Sequence, residues 1–168
     1  MQHSLQSRTN RPTAANCQRF ATAAIVLAFT AGWGFGQGDA ANSDRVVEAR
    51  QASMVLASVA MPVIADMATG RAAYDPDRAL VLSERVASLA ATSAELFPPS
   101  SSANSRSRTR ASVWRDKASF DGDMRQYVRL TATLAGAART RSLEALREPA
   151  LNVAQACRSC HRSYADLD

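Results

Sequence analysis

Close to the C-terminus of the 168-residue sequence, two thiols and an imidazole fall together in Cys157-Arg158-Ser159-Cys160-His161. On a helix, thiols spaced i, i+3 face the same side, so both can add across the two vinyl groups of one porphyrin edge. The residue after the second thiol then brings an imidazole beneath the iron, and Cys-x-x-Cys-His reads as an attachment sequence for one covalently bound haem c. Cys157 and Cys160 are the expected tethers and His161 the expected iron ligand. Cys-x-x-Cys alone also marks thiol redox sites and half of many zinc sites. The remaining cysteine is Cys17 and the remaining histidine His3, so a zinc site here would lack a Cys or His fourth ligand. A thioredoxin-like dithiol would open a helix beside a strand, whereas this one ends a chain whose pattern is helical throughout.

The elements that must position these groups follow from periodicity. Ala and Arg are abundant and aromatics scarce, a composition that favours helices. Ser43 can cap a first helix in which Val47, Met54 and Met61 recur every seven residues, with Ala57, Ile64 and Ala68 on the same face. Pro62 should kink it, and Gly70 should end it. Asp75-Pro76 opens a second helix with the stripe Ala79, Leu82, Val86, Leu89, Ser93 and Leu96, stopped by Phe97-Pro98-Pro99. Residues 98–112 form a polar connection too long for a tight turn. A third helix carries Phe120, Met124, Tyr127, Thr131, Leu134 and Ala138 on one face. The fourth runs from about Ser142 to Tyr164, with Pro149 as a kink or a late start. Four amphipathic helices without strand-like alternation predict an all-α, antiparallel four-helix bundle with the cofactor attached near the end of the fourth helix.

Ahead of the bundle, residues 1–19 are polar and basic without an acid, and an apolar run from Phe20 to Trp33 thins into Gly-rich sequence ending at Ala40. This is the order of a secretory signal peptide, so residues 1–40 are expected to be removed and residues 41–168 to form the haem-binding bundle in the periplasm. An uncleaved anchor is the competing reading, though the run is short for a span of ~20 residues. With the leader gone, no stable membrane span is expected. Covalent haem attachment outside the cytoplasm and tolerance of cysteine chemistry there agree with export. The leader's three arginines and one aspartate account for +2 of the net +5, leaving +3 on residues 41–168. The bases are interspersed with acids, which gives no basis for nucleic-acid binding.

With the motif on its last helix, the mature chain resembles the class II c-type cytochromes: cytochrome c prime and its low-spin, methionine-ligated relatives. The resemblance covers essentially residues 43–165. It rests on Arg50-Gln51-x-x-Met54, Leu96-Phe97-Pro98, Val113-Trp114 followed by Phe120, and Ala156-Cys157-x-x-Cys160-His161-x-x-Tyr164. It implies that Arg50 and Gln51 contact the haem propionates, as suits a guanidinium that forks onto a carboxylate. It also implies that Met54 lies over the distal haem face, where a bonded thioether would give a six-coordinate electron carrier with raised potential. Contact of Arg110 with a propionate is a further implication. Two features depart from the family: Ala165 stands where a basic residue usually follows the aromatic, and Arg162 directly follows His161.

The leading expectation is therefore a periplasmic electron-transfer protein with His161/Met54 axial ligation, serving redox partner proteins. The alternative is a five-coordinate, high-spin protein that binds nitric oxide or carbon monoxide. Peroxidase-type enzymology is disfavoured, since no second histidine remains in the mature chain as a distal base. The resemblance leaves both a homodimer formed through the first two helices and a monomer open.

Overall fold

The computed structural model describes residues 35–167. The basic segment and apolar run of the expected leader, residues 1–34, lie outside the described residues. Four long helices, α1 (Phe35–Thr69), α2 (Pro76–Ala94), α4 (Lys117–Arg139) and α5 (Leu143–Tyr164), are joined by short connections and by a longer one holding a 3-10 turn at Pro99–Ser101 and a single-turn helix α3 (Ser112–Arg115). α1 packs on α2 and α5, and α4 closes the ring by packing on α2 and α5. The result is the four-helix bundle expected from the sequence.

Local chemistry explains most of the boundaries. Gly70 adopts φ 80°, a left-handed turn natural to glycine, and ends α1. Asp75 caps α2 by accepting from the amides of Asp77 and Arg78, both at 3.0 Å, with Pro76 in the first turn where its missing N–H costs nothing. Ser142 caps α5 by accepting from Ala145 N at 3.3 Å, so Pro149 lies inside a helix that has already started rather than marking its start.

Two details differ from the periodicity argument, the start of α1 and the buried line of α2. α1 begins at Phe35, not at Ser43, because the Ala- and Asn-containing stretch between them continues the helix. Ser43 is instead a buried interior residue whose hydroxyl accepts from Asn104 Nδ2 at 3.0 Å. Pro62 sits within α1 without ending it, on the exposed side, where water can take the carbonyl that the ring deprives of a donor. On α2 the buried line is Ala79, Ser83, Val86, Ala90 and Ser93, and Leu82, Leu89 and Leu96 are only half-buried. Small residues occupy the seam and let the neighbouring helices approach, which pushes the leucines to its flanks.

The core lies in two parts. Ile64, Met67, Val86, Leu134, Leu146 and Val153 form one part, against which Tyr127 and Cys157 pack, with Met61 joining them. Phe97, Val113, Phe120 and Met124 form a second cluster against Trp114, Tyr127 and Tyr164. Phe97 and Tyr164 both pack on Phe120, the first tilted and the second edge-on, at centroid distances of 4.6 and 5.1 Å. That aromatic cluster braces the last turn of α5, which carries His161. Over Asp39–Thr69, α1 is long and apolar enough to cross a bilayer by length and composition alone, and in the bundle it serves as a packed helix.

Candidate haem site

Helical geometry places Cys157 and Cys160 one turn apart on α5, both half-buried and neither in a disulfide. Burial raises both thiols above their usual range, Cys160 to about 11 with a further contribution from Asp123 and then Cys157. A redox dithiol needs the opposite, a thiol lowered by nearby positive charge. Burial lowers the pKa of His161 and so favours the neutral imidazole, the form that binds iron. Among the described residues no group of three or more His, Cys, Asp or Glu side chains is arranged to hold a metal ion.

The space these groups face consists of two cavities of about 340 and 440 Å³ with largely apolar walls. They share Met54 and Ser58 from α1, Met124 from α4, and Cys160 and His161 from α5. Cys157, Met61 and Tyr127 line the first alone. Arg50, Gln51, Phe97, Phe120 and Tyr164 line the second. Thiols and imidazole therefore line the same space as Met54 of α1.

Arg50 tests whether this slot suits a flat apolar group with an anionic edge. Its residue is 4% exposed, and its guanidinium lies 4.5 Å over the Phe97 ring. One Nη donates to Thr109 Oγ1 at 2.8 Å and the other to Ser101 Oγ at 3.1 Å, while Nε is buried without a partner. No carboxylate pairs with it among the described residues, and burial lowers its pKa. A buried cation satisfied only by neutral hydroxyls is costly unless an anion joins it. A haem carboxylate at the second cavity would supply that anion, so the residues present fit the group.

The other expected contacts are distributed differently. Gln51 lines the second cavity, but its Nε2 donates to the carbonyl of Arg106 at 2.9 Å and so anchors the connection. Arg110, expected at a propionate, lines neither cavity. Its guanidinium reaches Asp166 Oδ1 at 2.6 Å and the carbonyl of Arg162 at 2.7 Å. The cause is an isolated antiparallel bridge between Thr109 and Ala165, which aligns this part of the connection with the C-terminal tail. Arg108 is the connection's arginine on the cavity wall. Sequence reasoning did not single it out, because the connection has no periodicity to orient its side chains. It also missed the pairing of Asp123, on the first cavity's wall, with Tyr164, whose hydroxyl donates to Asp123 Oδ2 at 2.9 Å. Burial and that bond push Tyr164 to about 12.

Comparison with known proteins agrees with this geometry. The family model described as cytochrome C' matches residues 45–165. Cytochrome c prime from Shewanella frigidimarina is 26% identical, with a TM-score of 0.69 over 74% of this chain and 96% of that one. A ferrous variant of cytochrome c prime from Alcaligenes xylosoxidans with bound NO is 25% identical, with a TM-score of 0.68 over 74% of this chain and 96% of that one. Cytochrome c' from Rubrivivax gelatinosus, at 22% identity, shares the fold, with a TM-score of 0.69 over 72% of this chain and 94% of that one. A search of curated proteins finds no match. The attachment motif, the slot and the matched family agree: this chain belongs to the cytochrome C' family, the class II c-type cytochromes that carry a covalently attached haem c.

Proposed function

We propose that the protein is a periplasmic cytochrome c prime whose iron is held from one side by His161 and is open on the other to nitric oxide or carbon monoxide. The observation that carries this reading is the composition of the slot: apart from His161 the residues lining it offer no imidazole or amine, the oxygen donors Tyr164 and Asp123 are hydrogen-bonded to each other, and the thioethers of Met54, Met61 and Met124 are the remaining soft donors. Cys157 and Cys160 would form the thioethers, Arg50 would hold a propionate, and Gln51 would order the connection beside it. Once bound, the haem supplies iron that takes up a diatomic gas or a single electron. The apolar residues of α1 and α4 keep water and polar ligands from the open side. Preference moves from the methionine-ligated carrier to the gas-binding form because a relative at 25% identity is described with NO bound.

Electron transfer with Met54 bonded is the second reading, favoured by the position of Met54 on the walls of both cavities together with His161. Met54→Leu separates the two. The substitution nearly conserves volume and should cost roughly 1.5 kcal/mol or less, so the fold survives. We expect the variant to keep a high-spin spectrum and carbon monoxide binding like those of the unaltered protein. Conversion from low spin to high spin on losing the sulfur would instead establish the carrier.

Residues 1–40 belong to this proposal as a leader cleaved after Ala40. Asp39–Asn42 are exposed and Ser43 is the first buried residue among the described side chains, so cleavage there would trim α1 without opening the core.

A further inference from the structure

We propose that Arg110 is a positioning residue for His161, acting by capping the helix turn that carries the imidazole. The inference rests on the haem reading above and goes beyond it to ask what holds the iron ligand in place.

A helix leaves its last four carbonyls without internal donors. At the end of α5 these belong to His161, Arg162, Ser163 and Tyr164. Many helices solve this with a left-handed glycine after the last turn. Here Ala165 follows, in extended conformation at φ −128° and ψ 144°, and its amide returns only to His161 O, at 3.0 Å. The other three carbonyls are met from outside the helix, by two residues of one connection. Arg110 donates from its guanidinium to Arg162 O at 2.7 Å and from its backbone amide to Tyr164 O at 2.9 Å. Ser112 Oγ donates to Ser163 O at 3.1 Å.

The strap is closed on both edges. Asp166 N donates to Arg108 O at 2.9 Å, and the Asp166 carboxylate pairs with Arg110 Nε at 2.6 Å. On its other edge Thr109 Oγ1 accepts from Arg50 at 2.8 Å. One short segment thus links the buried cation of α1 to the last turn of α5. A guanidinium at a helix C-terminus also meets the negative end of the helix dipole. Without these donors the terminal turn would fray, as uncapped ends do, and His161 is the first residue of that turn. The strap therefore fixes the direction from which the imidazole meets the iron.

The test compares haem-loaded Arg110→Ala and Asp166→Asn with the unaltered protein by resonance Raman spectroscopy of the ferrous form and by amide hydrogen exchange. Arg110→Ala is expected to leave helix content unchanged, to broaden the iron–histidine stretching band and move it to lower frequency, and to speed exchange at Ala165 and Asp166 about tenfold. Asp166→Asn, which keeps the bond from Arg110 to Arg162 O, should move the band by less than half as much. An unchanged band and unchanged exchange in a folded Arg110→Ala protein would overturn the proposal. If that variant does not fold or load haem, Ser112→Ala removes one bond of the same cap, and an unchanged band there overturns it equally. Absence of haem from the unaltered protein would refute the haem reading alone, since the exchange measurement still reports whether Arg110 caps the turn.

Discussion

Exported protein in which Cys157 and Cys160 are both replaced by alanine is expected to carry no haem that survives acid–acetone extraction. The two thiols sit one turn apart on α5 and both line the first cavity, so one haem held there would be tethered by both sulfurs. Thioether bonds do not depend on the fold, whereas axial ligation and packing are lost when acid and organic solvent unfold the bundle. The effect is consequently all or none in the double variant, and each single variant should retain one bond. Intact-mass analysis reads the leader at the same time. The unaltered protein should weigh as residues 41–168 plus one haem, and the double variant as the same chain without it. Covalent haem in the double variant would remove these residues from the attachment role, and a mass that keeps residues 1–40 would remove the cleavage proposal.

Arg50→Met should lower the stability of the haem-loaded protein by about 1.5–3 kcal/mol, the range for a hydrogen bond to a charged group. Burying a guanidinium with an unpartnered Nε and only hydroxyl acceptors opposes folding, so removing it from an anion-free site would be neutral or favourable. Because the substitution also removes the bonds to Thr109 and Ser101 and the contact with Phe97, a net loss reports an anion only together with the change in potential that follows. The same substitution withdraws a cation from beside the iron, which favours the oxidised state, and the reduction potential should fall. A propionate deprived of its partner should titrate at higher pH, giving the potential a pH dependence that the unaltered protein lacks. A folded, haem-loaded variant with the denaturation midpoint and potential of the unaltered protein would show that Arg50 is only a packing residue against Phe97.

The bundle and its attachment motif were legible in the sequence because both rest on local rules. The heptad of Val47, Met54 and Met61, the Asp75-Pro76 start and the start near Ser142 each depend on residues within one or two turns, and the structure uses them all. What periodicity could not give is set by contacts between distant segments. The start of α1 depends on the absence of any breaker before Ser43, and a good cap residue inside a helix looks the same in sequence as one at its end. The α2 stripe turned toward Ser83 and Ala90 because the seam rewards close approach more than hydrophobicity. The connection at residues 98–112 carries Arg106, Arg108 and Arg110 in an alternating run, and only the bridge of Thr109 with Ala165 decides that Arg108 lines the cavity while Arg110 caps α5. The resemblance implies a propionate contact for Arg50, but its hydroxyl partners, fifty or more positions away in sequence, were not legible.

The optical spectrum of the purified haem-loaded protein, recorded ferric, ferrous and ferrous under carbon monoxide, tests the central claim most directly. A haem held by His161 with an open sixth position predicts high-spin spectra in both oxidation states and a marked change when carbon monoxide is added. Low-spin spectra unaffected by carbon monoxide would contradict it, and would place the sulfur of Met54 on the iron.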